Sequence, residues 1–167
     1  QDSFRTMDPA DITYAMVAEK LNEIMQTRGK RGTDKHERLE MLQYLVSVAR
    51  GSSQTLTVLS HVVSSLFDMN PNMTSHMRVS QWKYCVHCCF QILELLKEHP
   101  NIKLVEEMDQ LEDLQEAPDE ASECLLAWCP LVSFVERLDD ELFKSLQVID
   151  PHTHLYLQRL KDEVFFL

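Results

Sequence analysis

Apolar residues recur at intervals of three and four along most of this chain, which is the spacing of amphipathic helices. The pattern predicts six main helices, the fifth of them bent or restarted at Pro130. Their expected spans are about 11–27, 34–50, 55–69, 80–99, 121–148 and 151–167. The fourth has the widest apolar stripe, so we expect neighbours to cover it on more than one side. No alternating β-branched run bounded by turns is present, and we therefore predict no strand.

Helix boundaries follow from the few residues that interrupt the pattern. The chain has three glycines, and Gly29, Gly32 and Gly51 flank the second predicted helix. Asp34 with Glu37 has the spacing of a capping box at the start of this helix, and Thr33 is the alternative cap. The other expected helix starts are Ser52 or Ser53, Ser80, and Asp150 as a cap followed by Pro151 at the first helical position.

Short links between these helices predict an all-α fold of stacked antiparallel helical hairpins, an irregular helical-repeat array of roughly six to eight helices. We expect residues 1–10 to be a flexible lead-in and residues 11–167 to form one helical-repeat domain. Nine acidic and no basic residues lie between Glu106 and Glu123, so we expect a mobile acidic segment near 104–121. The apolar end suggests a piece of a longer chain, with Phe165 and Leu167 exposed.

The charge is divided unevenly along the chain, whose formal net charge is −11. Residues 1–84 hold ten Lys and Arg against nine Asp and Glu, whereas residues 85–167 hold six against eighteen. Such a balance disfavours general affinity for nucleic acid or an anionic membrane. The asymmetry is compatible with oriented docking in an assembly, and equally with charges that only cover solvated helix faces.

No constellation typical of an enzyme or a metal site stands out, and we predict a non-enzymatic chain without a cofactor or metal. Cys85, His87, Cys88 and Cys89 are the densest set of possible ligands, but their helical spacing favours packing of thiols in the core. The acids 139–141 are interpreted as a solvated helix surface, and His61 as an isolated residue. Five cysteines without a signal peptide, and no long apolar run, indicate a cytoplasmic protein without a membrane span.

A basic segment, residues 28–38, is the candidate interaction site. Its cations precede or begin a helix whose N-terminal dipole is positive, so they do not stabilise that helix, which favours a surface role. They could bind an acidic protein patch or RNA phosphates, or form an ordinary solvated turn. The candidate contact residues are Arg28, Lys30, Arg31, Lys35 and Arg38.

Several short segments, in order along nearly the whole chain, resemble the helical region of the c subunit of eukaryotic translation initiation factor three. The strongest is Leu21-Asn-Glu-Ile-Met-Gln-Thr-Arg-Gly-Lys-Arg-Gly-Thr-Asp34. The others are 67–72, 77–82, 99–102, 135–141, 150–154 and 160–163. The residues that carry the family signature are Gly29, Gly32, Thr33, Asp34, Asn70, Pro71, Asn72, Trp82, Asp150 and Pro151.

This resemblance implies a non-catalytic scaffold segment that precedes a winged-helix module and acts in translation initiation and protein biosynthesis. The implied partners are the other subunits of the initiation factor complex and the small ribosomal subunit, with RNA contact through the basic segment as a further alternative. The other alternative is a helical scaffold subunit of a complex like the proteasome lid or the signalosome.

Overall fold

The computed structural model describes residues 3–70, 72, 74–111 and 116–166, and these residues are mainly helical. Seven α-helices and two short strands lie in the described part of the chain. The elements are α1 (Ser3–Thr6), α2 (Tyr14–Thr27), α3 (Lys35–Val48), α4 (Ser52–Asp68), α5 (Val79–Glu98), β1 (Ile102–Val105), β2 (Leu125–Trp128), α6 (Leu131–Val148) and α7 (His154–Phe166). Short 3₁₀ helices span Pro9–Asp11 and Met108–Gln110. The predicted helical architecture, with six to eight helices, is confirmed.

Local capping explains where the first helices begin. The Thr13 hydroxyl accepts from the Met16 amide at 3.3 Å and starts α2, three residues later than predicted. Asp34 Oδ1 accepts from the His36 amide at 2.8 Å and caps α3, as predicted. The Ser52 prediction is wrong, because Ser52 and Ser53 lie inside α4 and the preceding Gly51 is the cap, with φ 84°.

Helix α4 is the central element, since it contacts α2, α3, α5 and β2. Thirteen of its 17 residues are buried, and none is exposed. From the width of its apolar stripe, we expected α5 to be the helix with neighbours on more than one side. Instead α5 exposes Phe90 and Leu93. The apolar pattern misses the burial of α4 because several of its buried residues are polar, among them Ser60, His61 and Ser65.

The small sheet was not predicted. β1 and β2 pair in parallel, with Ile102 opposite Leu125 and Val105 opposite Trp128. Each strand has four residues, which is too short to show a clear alternation, and Leu125–Trp128 contains no β-branched residue. The helix predicted from residue 121 is therefore wrong in its first part. Of the two alternatives at Pro130, the bend is wrong and the restart is correct, because α6 begins directly after Pro130, whose missing amide costs no helical hydrogen bond there.

The last helix also begins later than predicted. Asp150 and Pro151 form a turn in which Asp150 Oδ1 accepts from the His152 amide at 2.9 Å. The Thr153 hydroxyl then accepts from the Tyr156 amide at 3.4 Å, and α7 starts at His154. Phe165 is 72% exposed, although the edge of its ring contacts Phe90. The expectations for Pro71 and Leu167 lie outside the described residues.

The acidic segment supplies the N-terminal contact of α4. One Glu120 carboxylate oxygen accepts from the Ser52 amide at 3.0 Å, and the other accepts from the Ser52 hydroxyl. Asn101 holds the same turn by donating to the backbone oxygens of Glu120 and Ser122 at 3.0 and 2.8 Å. A carboxylate at this position compensates unpaired amides and the positive end of the helix dipole.

We therefore expect Glu120→Ala to lower the free energy of unfolding by about 1 kcal/mol, the usual effect of losing a helix cap. Glu123→Ala, in the same turn and also exposed, is the matched control and should change stability by less than about 0.5 kcal/mol. Urea denaturation of both variants checks this. Equal stability of the two variants would contradict a capping role for Glu120.

Candidate functional site

The basic segment joins α2 to α3 through a turn that depends on two glycines. Gly29 and Gly32 have φ values of 78° and 87°, the left-handed conformation that residues with a Cβ rarely adopt. The Lys30 amide donates to the Thr27 carbonyl at 3.2 Å, and the Thr33 hydroxyl donates to the same oxygen at 3.2 Å. Lys30 and Arg31 thus lie at the tip of a turn that these hydrogen bonds define.

Three of the five candidate cations converge on Asp68, the last residue of α4. Arg28 makes a bidentate pair, with Nε–Oδ2 and Nη2–Oδ1 distances of 2.8 and 2.9 Å. Arg38 Nη2 lies 3.1 Å from Asp68 Oδ2, and Arg38 is only 7% exposed. Lys35 Nζ donates to the Asp68 backbone oxygen at 2.9 Å.

These contacts change the interpretation of the basic segment. Because α3 and α4 form an antiparallel hairpin, the cations that enter α3 lie at the C-terminal end of α4. The helix dipole is negative there, and the last carbonyl groups lack intrahelical donors. Arg28, Lys35 and Arg38 therefore stabilise the neighbouring helix, a role that the dipole of α3 alone did not indicate.

Lys30 and Arg31 differ from the other three cations. Both are exposed, and among the described residues neither side chain makes a hydrogen bond or an ion pair. A contact of the basic segment with a partner stays a prediction, and these two side chains are the ones available for it.

Three further signature residues, Asn70, Asn72 and Trp82, lie in the loop before α5 and in α5 itself. The Asn70 backbone oxygen accepts from Arg137 at 3.2 Å, and its side-chain amide donates to the Ser75 carbonyl at 3.2 Å. Asn72 Oδ1 accepts from the Thr74 amide at 3.0 Å. Trp82 Nε1 donates to the Leu138 carbonyl at 2.8 Å and joins α5 to α6. The contacts of Asn70 and Asn72 are therefore local to the loop or reach α6, and that of Trp82 joins α5 to α6.

Glu141 is the buried carboxylate that sequence reasoning missed. Its side chain has no exposed surface, contrary to the interpretation of residues 139–141 as a solvated face. It accepts from the Met77 amide at 2.7 Å, from Arg137 Nε at 3.0 Å and from Lys144 Nζ at 2.9 Å. Three donors compensate the cost of burying this charge, so Glu141 ties the loop before α5 to α6.

The His61 side chain is buried between α4 and the sheet. Its ring stacks on the Trp128 ring, with 4.2 Å between centroids and 18° between planes. Neither ring nitrogen has a hydrogen-bond partner within the described part of the chain. Burial lowers the pKa of His61 to about 3, and the nearby positive charge of Arg28 acts in the same direction. His61 is therefore neutral near pH 7, with an unpaired donor and an unpaired acceptor.

The cysteines pack as expected from their helical spacing. Cys85, Cys88, Cys89 and Cys129 are buried thiols, and Cys124 is exposed. Burial raises the pKa of Cys88 and Cys129 to about 11 and that of Cys89 to about 12, which disfavours the reactive thiolate.

Within the described ranges, no group of three or more His, Cys, Asp or Glu side chains could hold a metal ion. In those same residues, no helix has the length and apolarity to cross a membrane.

The fold and these contacts define a predominantly helical domain in which polar side chains join helix ends and loops. Residues 2–167 match the family described as Eukaryotic translation initiation factor 3 subunit 8 N-terminus, and the chain belongs to this family. The family resemblance carried by the short sequence segments is thereby confirmed.

Curated relatives agree with this assignment. The chain is 37% identical over 153 residues to the C subunit of eukaryotic translation initiation factor 3 from Coccidioides immitis, covering 90% of this chain and 18% of the relative. It is 36% identical over 160 residues to the Anopheles gambiae protein of the same name, covering 93% and 16%. For the Xenopus laevis protein of that name, identity is 33% over 161 residues, covering 92% and 17%. The chain thus spans less than a fifth of the length of each of these relatives.

The contacts of Arg28, Lys35 and Arg38 with Asp68 predict that a change at Asp68 destabilises the fold. Asp68→Asn removes the shared charge partner of Arg28 and Arg38, so the free energy of unfolding should fall by about 2 kcal/mol. Asp139→Asn, on the exposed face of α6, is the matched control and should change stability by less than about 0.5 kcal/mol. Chemical denaturation at low and high salt checks this. If the two variants had the same free energy of unfolding, the contacts with Asp68 would have no stabilising effect.

His61 predicts how stability depends on pH. The unfolded chain binds a proton near the ordinary His pKa of 6.5, whereas the folded chain binds it only near pH 3. Stability should therefore decrease, by several kcal/mol in total, as pH falls through this window. His61→Phe keeps a ring against Trp128 and should flatten the dependence. His152→Phe, at an exposed position, should leave it unchanged. Denaturation midpoints across the window check this, and equal slopes in all three proteins would exclude His61 as the cause.

Proposed function

We propose that this chain is a non-catalytic scaffold segment of a cytoplasmic translation initiation factor complex that docks on the small ribosomal subunit and holds other factors. The observation that carries the proposal is the family match over residues 2–167. Relatives named as subunits of initiation factor 3 support membership of such a complex. The match favours this function over a scaffold of a complex like the proteasome lid or the signalosome.

Within this function, we propose that Lys30 and Arg31 form the contact with the small ribosomal subunit. They lie together at the tip of a glycine-flanked turn, with exposed side chains that have no internal partner in the described residues. RNA phosphate is the favoured ligand, because both cations are free to replace the counterions of a phosphate backbone. Arg28, Lys35 and Arg38 serve this contact indirectly by holding the ends of α3 and α4 together.

Charge reversal at the tip tests the contact. The double variant Lys30→Glu and Arg31→Glu, in the full-length subunit, should weaken binding of the assembled complex to small ribosomal subunits by about tenfold or more. Loss of two phosphate contacts should also reduce the salt dependence of binding by about two in logarithmic slope. Co-sedimentation across a salt series measures both quantities.

The double variant Lys97→Glu and Lys103→Glu is the matched control. Both residues are exposed, and the change in net charge is the same, but neither belongs to the basic segment. This control should bind normally. If both double variants bound equally, or if the tip variant failed to join the complex, direct ribosome contact through Lys30 and Arg31 would be refuted.

A further inference from the structure

A large cleft lies along the N-terminal half of α4. Its walls are α2 on one side and β2 with the 3₁₀ helix Met108–Gln110 on the other. Its volume is about 1350 Å³, larger than the pockets that usually hold small molecules. A cleft of this size fits a segment of polypeptide better than a metabolite.

The floor of the cleft combines apolar surface with an unpaired polar group. Met25, Met108 and Leu126 line it, and Leu126 is 36% exposed there. The stacked rings of His61 and Trp128 also line it. Two other polar side chains of the lining have partners. The Thr57 hydroxyl accepts from the Trp128 amide at 3.1 Å, and Gln54 bonds to the backbone of Tyr14 and Arg50.

His61, by contrast, lacks a hydrogen-bond partner within the described chain. It is 2% exposed, and both of its ring nitrogens are unpaired. Buried polar groups are almost always hydrogen-bonded in folded proteins. His61 belongs to the lining of the cleft, so a ligand that enters beside its ring is the candidate partner for the unpaired donor and acceptor.

The rim of the cleft is acidic. Glu19 and Glu23 project from α2, where Glu23 is paired with Lys20 at 3.1 Å, and Asp109 also lines the cleft. Arg28 is the basic side chain of the lining, and its guanidinium is already paired with Asp68. The resulting negative field attracts cationic side chains and repels nucleic-acid phosphates.

We propose that this cleft binds a basic amphipathic segment of a partner protein. The apolar side chains of the segment cover Met25, Met108, Leu126 and Trp128, its Lys and Arg side chains meet Glu19 and Asp109, and one of its polar groups pairs with His61. This site is separate from Lys30 and Arg31, so it does not rest on ribosome docking. The two proposals can fail independently.

The probe is a synthetic 14-residue peptide with Leu at helical spacing and Lys elsewhere, compared with a peptide in which Glu replaces each Lys. Fluorescence anisotropy with the chain measures binding, and two-bond ¹H–¹⁵N spectra report on the His61 ring nitrogens. The basic peptide should bind and shift the His61 signals, whereas the acidic peptide should do neither. Equal binding of both peptides, or binding without a His61 shift, would overturn the proposal.

Two sets of variants locate the site. Glu19→Lys with Asp109→Lys should weaken binding of the basic peptide about tenfold or more. Glu94→Lys with Glu136→Lys carries the same charge change on exposed residues outside the cleft and should alter binding less than about twofold. Equal losses in the two double variants would show non-specific attraction and overturn the proposal.

His61→Phe separates a ligand role from a packing role. It preserves a ring against Trp128 but removes both hydrogen-bonding groups, so peptide binding should weaken while the chain stays folded. Thermal unfolding confirms folding, and a second variant, His61→Gln, restores a donor and an acceptor and should recover part of the affinity. Full affinity in His61→Phe would overturn the assignment of His61 as a ligand contact.

Discussion

Burial of α4 is the constraint on which the rest of the structure depends. A helix that contacts four other elements cannot leave its terminal amides and carbonyls to water, so other parts of the chain must compensate both ends. At the N-terminal end, Glu120 supplies a carboxylate from 68 residues away. At the C-terminal end, Lys35 donates to the last backbone oxygen, while Arg28 and Arg38 compensate the Asp68 carboxylate. The acidic and basic segments thus lie at opposite ends of one buried helix, each where its charge matches the helix dipole.

Much of the helical architecture could be predicted from the sequence because it depends on near neighbours. Apolar spacing located the main helices, and the Asp34 cap acts over two residues in the chain. The strands could not be predicted in this way. Each is four residues long, and β2 exists because Thr57 of α4 and residues 101–105 pair with its backbone amides. The start of α6 after Pro130 differs from the strands, since a proline beside a helix start is a local signal.

The sequence predicted which cations form the candidate site. It did not predict which of them pair with Asp68 and which remain exposed. Nothing near Arg28 in the sequence indicates Asp68, which is 40 residues away, and nothing near Glu141 indicates the Met77 amide. His61 was missed for a related reason, since an isolated histidine in a helix gives no signal until Trp128 is placed against it. Side-chain chemistry is readable from sequence, whereas the partner that decides between a structural and a surface role is set by tertiary contacts.

That distinction gives a physical criterion for where this domain meets other molecules. A charged or polar group that has an internal partner contributes to folding, as Arg38 and Glu141 do. A group without one either remains hydrated, as the Lys30 and Arg31 side chains do at an exposed tip, or is buried at a cost, as His61 is. The exposed pair suits a weakly directional contact with a highly charged surface. The buried histidine suits a directional hydrogen bond inside a cleft, so the two proposed contacts differ in chemistry and use different residues.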